Sequence, residues 1–173
     1  MKLDSYWADT ATAFIPAEVP LPAKVDVAIV GGGFTGLSAA LALAKRGAQV
    51  AVLEAGAIAH EASSRNGGHV NNGLAVDYAT LAAKVGSERA SGWYRAYDAA
   101  VDTVARIVAD EAIDCNFERN GKLKLAARPA HYDTLARGIE RLRREVDTGV
   151  ELIDGARIRS EVDSDQFCGG LLL

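Results

Sequence analysis

The sequence has few cysteines and no long uninterrupted apolar run, and each shortage excludes a class of protein. Its two cysteines, Cys115 and Cys168, are far apart and form no CxxC pair, which excludes a disulfide framework and a structural zinc site. The apolar stretch from Val25 is broken by glycines from Gly31 onward, so no segment reaches the ~18 apolar residues of a membrane-spanning helix. The N-terminus lacks the basic and apolar regions of a secretory signal. We therefore expect a cytoplasmic protein without a membrane span.

The charge balance also argues against one class of partner. The chain has 19 Lys+Arg against 23 Asp+Glu, a net charge of −4, and nucleic-acid binding requires a basic face. Apolar residues make up 49% of the 173 residues, so intrinsic disorder is disfavoured and a folded core is expected.

The N-terminal third predicts an irregular arm followed by a βαβ unit. Prolines at 16, 20 and 22 favour an extended arm over residues 1–23. Val25–Val30 and Ala48–Glu54 are apolar runs typical of buried parallel strands, and Phe34–Arg46 between them is a good helix. The crossover of such a unit should be right-handed.

Beyond Glu54 the pattern changes to a long loop and then to helices. Ala55–Gly73 holds four glycines and three asparagines, and loops of this length are usually functional or disordered. The predicted later elements are helices over Asp77–Val85, Ser87–Ala112, Pro129–Gly149 and Asp154–Glu161, and a hairpin joining Cys115–Glu118 to Lys122–Ala126 through Asn120-Gly121. In the long helix, Trp93, Tyr97 and Val104 belong to an apolar face.

A glycine motif provides the chemical signal. Gly31-Gly32-Gly33-Phe34-Thr35-Gly36 fits G-x-G-x-x-G between a predicted strand and a predicted helix, which is the context this motif needs. Gly31 permits the tight turn, Gly33 lets a pyrophosphate approach the backbone, and Gly36 lets helix and strand pack closely. The N–H groups at the helix start favour phosphate.

An acidic residue completes the motif. Glu54 ends the second strand, 18 residues beyond Gly36, where a carboxylate accepts hydrogen bonds from ribose hydroxyls and repels a 2′-phosphate. The structural alternative is a glycine-rich turn with a solvated Glu54. These residues indicate an adenine dinucleotide site and do not separate FAD from NAD.

A family resemblance favours FAD over NAD as the cofactor. Val27–Ala40, continuing to Val52–Ala55, resembles the N-terminus of the D-amino-acid-oxidase-type FAD-dependent oxidoreductases, and Ala62–His69 resembles that family's second flavin-contacting segment. Ser5–Ala8 resembles the leader of its gamma-glutamylputrescine oxidase-like branch, and Asn120–Ala126 is similar to a strand of its substrate domain. The resemblance covers nearly the whole chain.

The resemblance implies an FAD enzyme that oxidises a C–N bond of an amine or amino acid by hydride transfer to flavin, with oxygen or another electron acceptor. It implies contacts near the pyrophosphate and ribityl chain for Ser63, Ser64 and Arg65, and near the flavin ring for Asn66, Gly67 and Gly68. The cofactor-binding set is then Gly31, Gly32, Gly33, Phe34, Thr35, Gly36, Glu54, Ala55, Ser63, Ser64, Arg65, Asn66, Gly67 and Gly68. No catalytic residue and no metal ligand is assigned.

The expected fold class is α/β, a Rossmann-type FAD-binding βαβ unit followed by the beginning of an α+β substrate domain. The expected division is an arm (1–23), the βαβ unit with the flavin-contacting loop (24–85), the start of the substrate domain (86–165) and a strand returning to the FAD domain (166–173). The apolar ending Leu171–Leu173 leads us to expect an incomplete chain. Two alternatives stay open, a non-catalytic fragment or subunit completed by a second chain, and an NAD-dependent dehydrogenase.

Overall fold

The computed structural model describes residues 5–16, 20–73 and 76–173. Residues 1–4 and 17–19 of the predicted arm, and residues 74–75 of the predicted βαβ segment, lie outside the described residues. The chain divides into two compact units, Met1–His69 and Val70–Leu173. In the described parts, no helix is long and apolar enough to cross a membrane.

The first unit is built on a parallel strand pair joined by a helix. Strand β1 (Val27–Val30) pairs in parallel with β2 (Val50–Leu53), with Val27 opposite Val50. The crossover helix α2 spans Phe34–Ala44, and Gly47 with φ +87° closes its C-terminal turn by donating its N–H to the Ala44 carbonyl at 2.9 Å. The predicted βαβ unit is thus present, with ends that differ by one or two residues.

The N-terminal arm contains a helix that was not predicted. Helix α1 spans Tyr6–Thr10, and the Ser5 hydroxyl caps it by accepting the Ala8 N–H at 3.1 Å. Five residues are too few for a helix to be stable alone, so sequence patterning does not reveal it. The flavin-contacting loop forms a single 3₁₀ turn at Ala62–Ser64.

The second unit combines four helices with a small antiparallel sheet. Its helices are α3 (Tyr78–Val85), α4 (Ser87–Asp110), α5 (Pro129–Glu145) and α6 (Ile158–Glu161), and its strands are β3 (Leu123–Ala126), β4 (Glu151–Asp154) and β5 (Gly169–Leu172). Of these helices, α5 packs on all three strands. The strand order is β3-β5-β4, antiparallel throughout. The principal core cluster is formed by Tyr78, Leu81, Ala82, Ala90, Ile139, Leu142, Val150 and Leu171.

The sheet differs from the predicted hairpin. Residues 115–118 form no strand, and β3 pairs instead with β5, placing Leu123 opposite Leu172. Gly121 has φ +75°, but residues 116–122 form no turn. The chain instead enters this non-local ladder through two hydrogen bonds between Lys122 and Leu173. The Asn-Gly pair favours a positive φ and does not determine which strand β3 pairs with.

Two features of the second unit bear on how the chain is divided. Helix α3 belongs to this unit, because it contributes Leu81 to the core shared with α5. Strand β5, within the segment 166–173, is the central strand of the unit's sheet. Gly169 suits that place because a Cβ there would lie 2.4 Å from the Tyr132 ring. The expected division into FAD-binding and substrate domains stays a prediction.

The long helix α4 is covered over only part of its length. Of its residues only Ala90 is buried, and Trp93, Tyr97 and Val104 are 43%, 37% and 37% exposed. At 1.5 Å per residue, the 24-residue α4 is about three times as long as the eight-residue α3 that packs beside it. The predicted apolar face therefore exists as a pattern but stays partly exposed within this unit.

Candidate functional site

The glycine turn between β1 and α2 brings helix and strand into close approach. Gly31 has φ +102°, a conformation that favours glycine, and donates its N–H to the Leu53 carbonyl at 2.8 Å. A Cβ on Gly36 would lie 1.9 Å from the Gly31 carbonyl oxygen, so a side chain there requires the backbone to move. The predicted reasons for glycine at these two positions agree with the geometry.

Glu54 lies directly after β2 and is held by backbone N–H groups. Its Oε2 accepts the Gly32 N–H at 2.7 Å and its Oε1 accepts the Gly56 N–H at 2.9 Å. These hydrogen bonds, with that from Gly32 the strongest influence, lower the pKa of the exposed Glu54 carboxyl below its ordinary value. The carboxylate is therefore charged at neutral pH, and its two oxygens retain acceptor capacity for further donors.

The start of α2 is capped from a distant part of the chain. The Phe34 N–H donates to the Ser63 Oγ at 3.0 Å, across 29 residues. The first-turn N–H groups of a helix have no partner within the helix, and the helix dipole adds partial positive charge there. Ser63 thus brings the second predicted segment to the anion-attracting end of α2.

An open cleft of about 480 Å³ lies at this place within the first unit. It is lined by the end of β1, the glycine turn, the first turns of α2 and the 3₁₀ turn: Ile29, Val30, Gly31, Gly33, Phe34, Thr35, Gly36, Ala39, Ala62 and Ser63. A Cβ on Gly33 would lie 2.9 Å from the Ser63 Oγ, so a side chain at residue 33 would crowd the cleft. Val30 and Phe34 expose apolar surface beside it.

The remaining predicted site residues do not line this cleft. Gly32 is buried, and a Cβ on it would lie 2.5 Å from the Ile58 Cδ1. Ser64 is also buried, and its hydroxyl donates to the His60 carbonyl at 2.6 Å. Outside the lining residues lie Gly32, Glu54, Ala55, Ser64, Arg65, Asn66, Gly67 and Gly68.

Two contacts were missed by sequence reasoning. The Ser63 cap on α2 joins residues 29 positions apart, and the Trp7 indole Nε1–H donates to the Asn66 carbonyl at 2.8 Å across 59 positions. The only sequence signal for the first was the serine pair in the second segment. For the second it was the leader Ser5–Ala8, which carries no spatial information by itself.

The glycine turn, the ionised Glu54 and the capped helix start form the geometry of a dinucleotide-binding βαβ unit. Residues 26–173 match the family model described as FAD dependent oxidoreductase. The chain belongs to this family. The family resemblance predicted from the sequence and the expected mixture of helices and strands are confirmed.

Relatives and solved structures agree with the family match. Gamma-glutamylputrescine oxidoreductase of Escherichia coli (strain K12) is 35% identical over 169 residues, which cover 97% of this chain and 39% of the relative. Glycine oxidase from Bacillus cereus superposes with a TM-score of 0.62 at 25% identity, over 86% of this chain and 38% of that one. L-amino acid deaminase from Proteus vulgaris gives a TM-score of 0.65 at 22% identity, over 92% and 36% respectively, which supports the fold alone. The chain spans about two fifths of the length of these proteins.

The residues present fit the adenine-dinucleotide part of FAD. Glycines at 31 and 33 keep the turn free of side chains, and no atom lies within 4 Å of a Cβ built on Gly31. The start of α2 can donate N–H groups to a pyrophosphate, and Glu54 can accept hydrogen bonds from ribose hydroxyls.

Proposed function

We propose that this chain supplies the ADP-binding part of an FAD site in an oxidoreductase that acts on a C–N bond of an amine or amino acid. The observation that carries the proposal is the open cleft where the glycine turn, the start of α2 and Ser63 meet. Family membership supports the cofactor, and the activities that the relatives are named for support the substrate class.

Each part of the site has a distinct role in this proposal. The N–H groups of the first turn of α2 bind the pyrophosphate, and the absence of a side chain at Gly33 permits its close approach. Glu54 accepts hydrogen bonds from the adenosine ribose. The Ser63 hydroxyl, which accepts the Phe34 N–H at 3.0 Å, lies where it can also donate a hydrogen bond to a phosphate oxygen.

The rest of the second segment is assigned to the flavin half of the cofactor. Ser64 supports the segment from inside, through its hydrogen bond to the His60 carbonyl. Arg65 is still proposed to contact the pyrophosphate and ribityl chain. Contacts near the flavin ring are still proposed for Asn66, Gly67 and Gly68. Ala55, next to Glu54, completes the proposed set.

Bound FAD would supply the redox chemistry by accepting a hydride from the carbon next to a neutral amine. This chain's residues bind and orient the cofactor, and no residue of it is assigned a proton transfer. Three expectations stay predictions: that oxygen is the electron acceptor, that the protein is cytoplasmic, and that a second chain completes the fold. An NAD-dependent dehydrogenase is disfavoured by the family match over residues 26–173.

The test is binding of FAD and of ADP to the purified chain, with Glu54→Arg and a matched control. Glu54→Arg replaces the ribose acceptor with a cation and removes the acceptor of the Gly32 and Gly56 N–H groups. Glu118→Arg makes the same charge change at an exposed loop residue of the second unit. We expect wild type and Glu118→Arg to bind both ligands, with a loss of at least tenfold in affinity for Glu54→Arg.

The visible spectrum gives the second readout. Flavin absorption bands in the purified chain, with release of the flavin on denaturation, would show that FAD is bound noncovalently. Bleaching of these bands by an added amine would show oxidoreductase activity. A folded chain that binds neither FAD nor ADP would refute the proposal for this chain. Binding without any amine-dependent bleaching would favour the non-catalytic alternative.

A further inference from the structure

The N-terminal helix α1 is attached to the segment Ser63–Gly68, which is proposed above to face the ribityl chain and flavin ring. The Trp7 Nε1–H donates to the Asn66 carbonyl at 2.8 Å. The six-membered part of the indole also lies against Gly68, because a Cβ built there would be 2.5 Å from Cζ2 and 2.9 Å from Cη2 of Trp7. One side chain therefore makes a polar contact and a packing contact with the same short segment.

The segment has internal hydrogen bonds that define the conformation Trp7 holds. The Asn66 side chain donates to the Ser63 carbonyl at 2.8 Å and accepts the Gly68 N–H at 2.9 Å. Gly68 has φ +71°, so it favours glycine for its backbone as well as for the closeness of the indole. The Asn66 side chain binds the Ser63 backbone carbonyl, whereas the Ser63 hydroxyl, a different group, caps α2.

Helix α1 is a short element that presents Trp7 to the segment. It is five residues long and has no buried residue, so it gains little from a core of its own. The Tyr6 and Trp7 rings pack edge to face with centroids 5.0 Å apart, which restricts the indole orientation. Trp7 therefore reaches the segment from a helix whose ring pair limits the movement of the indole.

We propose that Trp7 is a positioning residue that holds Asn66–Gly68 in the conformation that accepts the flavin part of FAD. The inference rests on the proposed function for its ligand. The ADP half is bound by the glycine turn and Glu54, which Trp7 does not touch in the described contacts. Replacing Trp7 should therefore weaken the binding of FAD and leave the binding of ADP unchanged, whereas a general loss of stability would weaken the binding of both ligands.

The experiment compares Trp7→Phe and Trp7→Ala with Trp93→Phe. Trp7→Phe keeps an aromatic ring near Gly68 and removes the Nε1–H donor, and Trp7→Ala removes both contacts. Trp93→Phe is the matched control, since Trp93 is an exposed tryptophan on α4 of the second unit. Circular dichroism establishes that each variant is folded before binding is measured.

We expect Trp7→Phe to weaken FAD binding about fivefold, the equivalent of the ~1 kcal/mol of one net hydrogen bond, with ADP binding unchanged. Trp7→Ala should weaken FAD binding more than tenfold, again without an effect on ADP. Equal losses for both ligands would reduce Trp7 to a stabilising role and overturn the proposal. Unchanged FAD affinity in both Trp7 variants would also overturn it.

A ligand-free measurement separates this inference from the proposed function. Hydrogen exchange of peptides covering residues 62–69 should become several-fold faster in Trp7→Phe and faster still in Trp7→Ala, and stay unchanged in Trp93→Phe. If the wild-type chain bound neither FAD nor ADP, the proposed function would fail, and the positioning of the segment would be decided by this exchange alone. Unaltered exchange in both Trp7 variants would refute the positioning contact itself.

Discussion

Replacing Gly36 by alanine should destabilise the first unit, although alanine is the better helix former. In the interior of a helix Gly→Ala usually stabilises by about 0.5–1 kcal/mol. At Gly36 the new Cβ would lie 1.9 Å from the Gly31 carbonyl oxygen, far inside the ~3.5–4.0 Å at which nonbonded heavy atoms attract. The obstacle is backbone, so α2 or the turn must move, at the ~1–3 kcal/mol typical of overpacking.

Gly92→Ala is the matched control because it is also a helical Gly→Ala replacement. No atom lies within 4 Å of a Cβ built on Gly92, so only the helix-propensity gain of about 0.5–1 kcal/mol should remain. We expect Gly36→Ala to lower the free energy of unfolding by about 1–2 kcal/mol and Gly92→Ala to raise it. The two variants should thus differ in sign.

Urea unfolding measures both effects, with one tryptophan retained in each background. In a Trp93→Phe background the fluorescence comes from Trp7, which belongs to the same compact unit as Gly36. In a Trp7→Phe background it comes from Trp93, next to Gly92. A Gly36→Ala chain as stable as its parent would refute the close approach of α2 to the glycine turn.

Three further outcomes follow from the structure. Folding lowers the pKa of Glu54, so the ionised carboxylate stabilises the folded state above the unfolded-state pKa near 4.5. This stabilisation is lost as the pH falls through the folded-state pKa. The free energy of unfolding of Glu54→Gln should therefore depend less on pH in that range than the free energy of unfolding of wild type. Burial and a hydrogen bond to Glu145 raise the pKa of Tyr78 to about 12. The protonated phenol therefore stabilises the folded state below pH ~10, and this stabilisation is lost between pH ~10 and about 12. Tyr78→Phe should make the free energy of unfolding depend less on pH in that range, and an unchanged pH dependence would contradict the raised pKa. Ile153 is 1% exposed. In urea unfolding, Ile153→Ala should lower the free energy of unfolding by about 2–5 kcal/mol and Ile153→Val by about 0.5–1.5 kcal/mol. A near-zero change for both variants would place Ile153 outside the core.

Much of the first unit was predictable from local sequence. Apolar runs bounded by glycines and a helical stretch between them produce β1, α2 and β2, because a short buried strand and a crossover helix each need only nearby residues to be recognised. The glycine motif and Glu54 were predictable as a site for the same reason. Their spacing follows the fixed geometry of a strand-turn-helix-strand unit.

The second unit shows where local sequence stops being sufficient. The helical pattern predicted α3, α4 and α5, and Pro129 marks the start of α5, yet β4 was missed and β3 was given a neighbouring partner. β3 in fact pairs with β5, more than forty residues further along the chain. Strand pairing depends on which surfaces can be buried together, and turn residues between adjacent segments do not encode that choice.

The sequence by itself therefore determined the family, the dinucleotide motif and most helices, since these depend on residues close together in the chain. Only the tertiary structure decided that Ser63 caps α2, that Ser64 points inward to His60, and that Trp7 holds the segment around Asn66. Each of these is a contact between side chain and backbone, and two of them span 29 and 59 residues. Such contacts are selected by packing in three dimensions, and spacing along the chain does not determine them.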